Sequence, residues 1–149
     1  MARRDGDGGG DVLERLVWAL NEHDLDALAA CFADDYVNET PVHPLRGFTG
    51  NEQVRRNWTQ IFTGVPDLCV ELPRQVVEGD TAWTEWEMSG ARPDGRPFLM
   101  RGVVIFRIKA DVIASARFYL EPVEETSGDV DAHTARITEH AADPAGVTS

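Results

Sequence analysis

No run of about eighteen apolar residues occurs in this chain, so no segment is expected to cross a bilayer as a helix. Cysteine is scarce as well: Cys31 and Cys69 stand far apart with no C-x-x-C pair. That excludes a disulfide framework and fits thiols kept in a reducing compartment. Positive charge is also in short supply. Fourteen Lys plus Arg face twenty-six Asp plus Glu, and the net charge of −12 repels phosphate backbones and anionic lipid. Neither nucleic acid nor a membrane surface is an expected partner. There is no zinc-ligand frame, no phosphate-cradling glycine loop and no GxSxG nucleophile elbow, and neither cysteine has a histidine partner in sequence. No metal and no cofactor are expected. The opening MARRDGDGGG has arginines without an apolar stretch behind them, so it reads as a floppy tail rather than a signal or an anchor. The cytoplasm is the expected location.

What is present suits one domain with a core and room for a ligand. The chain has 149 residues, 42% of them hydrophobic. Residues 1–10 are expected to form a disordered tail, 11–123 the folded domain, and 124–149 an acidic, disordered tail with six carboxylates and one arginine. His133 and His140 in that tail lack a metal-ligand frame and read as solvated. Within the domain, Asp11 and Glu14 have capping-box spacing ahead of Leu13, Leu16, Val17 and Leu20, which predicts a helix over about Val12 to Glu22. Asp24 is placed to cap a shorter helix carrying Leu25, Leu28 and Phe32. Thr49 and Glu52 repeat the capping-box spacing before Val54, Trp58, Ile61 and Phe62, a third helix ending near Gly64.

Beyond Pro66 the period changes from helical to two. Leu68 to Leu72, Thr81 to Ser89, Phe98 to Ile108 and Val112 to Val123 read as strands. Pro93, Asp94 and Gly95 suit one hairpin loop, and Lys109, Ala110 and Asp111 another in which Asp111 takes a left-handed backbone. Helices first and sheet afterwards predict an α+β cone, a curved antiparallel sheet packed against three N-terminal helices. The long strand is apolar on both faces, with Met100, Gly102, Val104, Phe106 and Ile108 on one and Leu99, Val103 and Ile105 on the other. The second face needs its own cover, and a second copy of the chain, forming a homodimer through the outer sheet face, is the expected one.

Three strings, LERLVWALNEHDLDALAACFADDYVNETP, GFTGNEQVRRNW and RGVVIFRIKADVIASARFYLEPVE, resemble the nuclear transport factor 2-like superfamily, nearest its SnoaL-like branch. The resemblance covers about Val12 to Val123. It implies a cystatin-like cone with a pocket between sheet and helices. It does not imply one activity, because the superfamily includes polyketide cyclases, ketosteroid isomerases, epoxide hydrolases, dehydratases and non-catalytic binding modules. Laid onto this chain, the isomerase tyrosine, aspartate base and protonated aspartic acid fall near Leu16, Thr40 and Val103 or Val104. None of these carries a proton at neutral pH in the way required, which disfavours steroid isomerisation by that route. The cyclase branch implies one carboxylate near the end of the last strand, where Glu121 follows Tyr119 and Leu120. The epoxide hydrolase type implies a carboxylate–arginine–carboxylate network, for which Arg101, Glu121 and Glu85 are the available members.

The residues themselves leave alternatives open. Glu85, between Trp83 and Trp86, is either a proton-transfer group in an aromatic setting or a charge on a solvated strand face. Glu121 is either a catalytic carboxylate, re-aimed inward by a bulge near Pro122, or an exposed partner for an arginine. Arg101, in the apolar FLMRGVVIF, either stabilises oxygen anion together with Tyr119 or Asn38, or closes a sheet-organising ion pair. Asn38, Glu39 and His43 lead into the loop after the second helix and are candidates for the pocket rim, and Trp58 and Trp83 for its walls. The expected function is cofactor-independent acid/base proton transfer on an apolar, oxygenated small molecule, in polyketide-type aldol cyclisation or isomerisation. The alternatives are epoxide hydrolysis and a non-catalytic module for small-molecule binding or dimerisation.

Overall fold

A computed structural model describes residues 8–125 and 128–142 of the chain. The first helix, α1 (Gly8–Glu22), buries Val12, Leu13, Leu16, Ala19 and Leu20 along one stripe. It begins ahead of the expected cap, so Asp11 lies in its first turn rather than at the cap position. At its end His23 takes a left-handed φ of 55°. His23 stacks on Phe62 at 4.3 Å and its Nε2 lies 3.0 Å from the Leu68 carbonyl, which anchors the corner. Asp24 caps α2 (Leu25–Ala30) as expected, its side chain accepting from the Ala27 N–H at 3.0 Å.

The second helix stops before Phe32, and β1 (Phe32–Glu39) follows. Its buried side chains are Phe32, Tyr36 and Asn38. The acids Asp34 and Asp35 mask this strand in the sequence, because they depress strand propensity where they face water. A 3-10 turn (Pro44–Arg46) and the short β2 (Phe48–Thr49) lead to α3 (Asn51–Gly64). Its N-cap is Gly50 at φ 109°, and the expected Thr49–Glu52 capping box is not formed. Asn51 instead donates through Nδ2 to the carbonyls of Ala29 and Phe32, both at 2.8 Å, tying α3 to the corner.

The remaining strands are β3 (Cys69–Glu78), β4 (Thr81–Ala91), β5 (Pro97–Lys109) and β6 (Val112–Pro122). They join one curved six-stranded sheet in the order β2-β1-β6-β5-β4-β3. Pairs β3/β4, β4/β5, β5/β6 and β1/β2 are antiparallel, and β1 runs parallel to β6. Pro73 sits where β3, an edge strand, shifts register between Glu71 and Arg74, a place where a missing N–H costs little. The β5–β6 turn takes left-handed φ at Ala110 (51°) and Asp111 (69°), matching the expectation for Asp111. Arg15 on α1 clasps this turn, donating to the Asp111 carbonyl at 3.0 Å. At Gly102 β5 meets β6 so closely that a Cβ would lie 2.0 Å from the Tyr119 carbonyl oxygen, so only glycine permits this curvature.

The inner face of the sheet buries Ala82, Thr84, Trp86 and Met88 on β4 and Val104, Phe106 and Ile108 on β5. This is the first of the two apolar rows read on the long strand. Within the acidic segment, Val130–Ala142 forms α4, where no element was read; Asp129 caps it by accepting from the Ala132 N–H at 3.0 Å. Its side chains from 130 to 139, His133 among them, are exposed, so these residues add nothing to the core. The side chain of His140 and residues 1–7 and 143–149 of the expected tails lie outside the described residues. Among the described residues no helix is long and apolar enough to cross a membrane.

Candidate functional site

Between the inner face of the sheet and helices α1 and α3 lies a cavity of about 260 Å³. Leu16 comes from α1, Val54, Asn57, Trp58 and Ile61 from α3, and Trp86, Met88, Met100, Phe106, Phe118 and Leu120 from the sheet. Strand β1 adds Phe32, Tyr36 and Asn38 to the wall, and the loop after it adds Thr40 and Arg46. Period-two spacing explains why Tyr36, Asn38 and Thr40 converge: on a strand they share one face.

The polar groups of this wall are satisfied on one side only. Tyr36 Oη donates to Asn38 Oδ1 at 2.6 Å, and both side chains are buried, Tyr36 at 1% exposure and Asn38 at 8%. Burial pushes the Tyr36 phenol far above its ordinary value, so it stays a neutral donor. On α3, Gln53 Nε2 donates to Asn57 Oδ1 at 2.7 Å. Both amides thus have their oxygens engaged, while their NH₂ groups meet no protein acceptor among the described residues. The Trp58 indole N–H is unengaged in the same sense. Trp86, by contrast, is fully committed: its Nε1 donates to Thr84 Oγ1 at 2.8 Å, and Thr84 donates to the Val104 carbonyl at 2.7 Å.

Of the residues singled out from the sequence, Asn38 and Trp58 line the cavity. The others stand elsewhere. Trp83 and Glu85 alternate with the buried Trp86 and so face outward; Trp83 is 55% exposed, and Glu85 lies 3.6 Å from Arg74 across the strand pair. Arg101 is on the same outer face and donates through Nε to Glu87 at 2.7 Å, the sheet-organising ion pair that was one of its two readings. Tyr119 and Glu121 alternate with the cavity-lining Phe118 and Leu120. No inward re-aiming occurs at Pro122, and Glu121 instead accepts from His43 Nε2 at 2.8 Å. Glu39 pairs with Arg117 at 3.2 Å. The carboxylate–arginine network is therefore not assembled around the cavity. Two of the positions mapped from the isomerase pattern, Leu16 and Thr40, do line it, and neither supplies a base.

Sequence reading missed Tyr36, Asn57 and Arg46. For Tyr36 the signal existed in the alternation Tyr36, Asn38, Thr40, hidden by the neighbouring acids; Asn57 and Arg46 carry no local pattern that marks a wall. No histidine, cysteine, aspartate or glutamate lines the cavity, and among the described residues no group of three or more such side chains is placed to hold a metal ion. The arrangement is built to receive oxygen: an apolar chamber whose free polar groups are N–H donors, the neutral amides and the Trp58 indole together with the Arg46 guanidinium.

Residues 13–116 match the sequence profile of the SnoaL-like domain. No curated protein matches the chain. Several solved structures are similar. A nuclear transport factor 2-like protein of Anabaena variabilis shares 17% identity, with 84% of this chain and 96% of that chain covered and a TM-score of 0.67. A candidate SnoaL-like polyketide cyclase of a Jannaschia species shares 18%, covering 81% and 91%, with a TM-score of 0.66. A candidate polyketide cyclase of Sinorhizobium meliloti shares 26%, covering 74% and 94%, with a TM-score of 0.59.

Proposed function

The chain belongs to the SnoaL-like domain family, and from that premise we propose that its cavity binds an apolar small molecule through an oxygen atom set against Asn38. One observation carries this reading. The Tyr36 hydroxyl occupies the Asn38 carbonyl oxygen and leaves the amide NH₂ as a polarised donor inside an apolar wall. A cavity of 260 Å³ lies between the roughly 150 Å³ that accepts benzene and the roughly 300–1,000 Å³ of drug-sized sites, so the ligand class is a one- or two-ring molecule.

The test compares α-tetralone with tetralin, which differ by the carbonyl, using the fluorescence of Trp58 and Trp86 as the readout. The ketone binds about tenfold tighter, and Asn38→Leu removes the difference. Equal affinity of the two for the unaltered protein overturns the reading.

A second reading adds turnover, favoured by the His43–Glu121 contact on the loop that follows the cavity-lining Thr40. Here the imidazole, oriented by the carboxylate, takes a proton from the carbon beside the carbonyl while Asn38 holds the developing enolate oxygen. Returning that proton to the new alkoxide completes an aldol cyclisation, and returning it to another carbon completes an isomerisation. On this reading His43→Ala and Glu121→Gln abolish turnover and leave ligand affinity unchanged; full turnover in both variants rejects it. Binding stands first because no base lines the cavity itself.

A second copy of the chain is the proposed cover for the outer face of the sheet. Val76 and Trp83, cross-strand partners in register, are exposed there beside Ile105.

A further inference from the structure

Arg46 differs from the arginines around it. Most of the described guanidinium groups are matched to carboxylates, as Arg15 is to Asp111, Arg74 to Glu85, Arg101 to Glu87 and Arg117 to Glu39, while Arg92 lies over the Phe98 ring and Arg136 beside His133. Arg46 has no carboxylate and no hydrogen-bond acceptor among the described residues, and it alone among the charged side chains lines the cavity. In a protein of net charge −12, an unmatched cation at the mouth of an apolar chamber is a local reversal of sign.

Its backbone is held in place. The Arg46 N–H donates to the His43 carbonyl at 2.9 Å, and the Thr40 hydroxyl donates to the same carbonyl at 2.7 Å. His43 is in turn fastened to β6 by its 2.8 Å contact with Glu121. Directly after Arg46 the chain runs so close to β1 that a Cβ on Gly47 would sit 3.0 Å from the Asn38 carbonyl oxygen. The loop is thereby pressed against the strand that carries the Tyr36–Asn38 pair.

We propose that the ligand is an amphiphilic monoanion, an apolar one- or two-ring body within the chamber and a carboxylate at its mouth paired with Arg46. This rests on the cavity reading above and adds the charge of the ligand to it. A carboxylate fits better than a phosphate. One planar guanidinium matches a carboxylate bidentately, and no second cation lines the cavity to balance a dianion.

The experiment measures, by calorimetry on the full chain, the affinities of 5-phenylpentanoate and of its primary amide, equal in size and differing in charge, with α-tetralone as a neutral reference. The acid binds about tenfold tighter than the amide, equivalent to about 1.4 kcal/mol, and loses that advantage at high salt. Arg46→Gln equalises acid and amide, and a urea-unfolding midpoint matching that of the unaltered chain shows that the variant is folded. Arg92→Gln, a control at a cation placed over Phe98 outside the cavity lining, keeps the preference. Equal binding of acid and amide by the unaltered protein, or a preference for the acid that survives Arg46→Gln, overturns the proposal and leaves the cavity reading intact. Binding of α-tetralone alone does the same. Failure of all three compounds to bind overturns both.

Discussion

The two faces of the central sheet are written in the same strands, one residue out of step, and they solve opposite problems. Inward, Thr84, Trp86 and Val104 form a neutral, fully connected set of hydrogen bonds in a dry setting. Outward, Glu85, Glu87, Arg101 and Arg74 form exposed ion pairs, each worth little to stability. Taking an ion out of water costs several kcal/mol even after relaxation, whereas a neutral amide or hydroxyl needs only its hydrogen-bond partner. The strand carboxylates accordingly stay on the wet face, and the chamber is furnished with amides and indoles.

The sharpest way to break this contrast is to delete one tryptophan from each face. Trp86→Ala is expected to cost about 3–5 kcal/mol, because it removes a buried side chain and takes from Thr84 Oγ1 the hydrogen bond it accepts. Trp83→Ala is expected to cost less than about 1 kcal/mol in a monomer. Urea unfolding measures both. A concentration-dependent midpoint, with a cost at Trp83 rivalling that at Trp86, would show that a second copy buries the outer face.

Gly102→Ala probes the curvature that separates the faces. The added methyl meets the Tyr119 backbone, and overpacking of this kind costs about 1–3 kcal/mol. Gly64→Ala, in open space on α3, is neutral or slightly stabilising in the same assay.

Tyr36 tests the dry side by pH. Its raised pKa means that above about pH 10 the unfolded chain releases the phenolic proton while the folded one keeps it. Stability therefore falls with rising pH in that range, by up to about 1.4 kcal/mol per pH unit from this group. Tyr36→Phe flattens that slope and costs about 1–2 kcal/mol at pH 7, since the buried Asn38 oxygen loses its donor. An ultraviolet titration showing Tyr36 ionising near pH 10 in the folded protein would contradict its burial.

The smallest effect belongs to the wet side. The Arg107 guanidinium, then the Thr81 hydroxyl, hold the Asp80 carboxyl below its ordinary value. Its contribution is present above the usual carboxylate pKa of about 3.9 and is lost as the pH falls through the depressed folded value. Acid unfolding of Asp80→Asn is accordingly less steep than that of the unaltered chain, by a margin that salt erases.

Local pattern was enough for much of this. The helical stripes of α1 and α3, the Asp24 cap, the two alternating apolar rows of β5 and the left-handed Asp111 were legible because each is decided by residues within a few positions of one another. The strand at Phe32–Glu39 was not, since its acids argue against it and its pairing partner, β6, lies some eighty residues onward. Glu121 was read in two ways for the same reason: a register shift of one residue exchanges the faces, and no local signal reports it.

By itself, then, the sequence determined the α+β class and the alternation that divides apolar from charged side chains. The tertiary structure decided which alternating row faces the chamber, that Tyr36, Asn38, Trp58 and Arg46 line it together, and that the strand carboxylates are paired outside. Periodicity belongs to neighbours along the chain, but a cavity belongs to segments far apart, and only their long-range pairing brings its walls together.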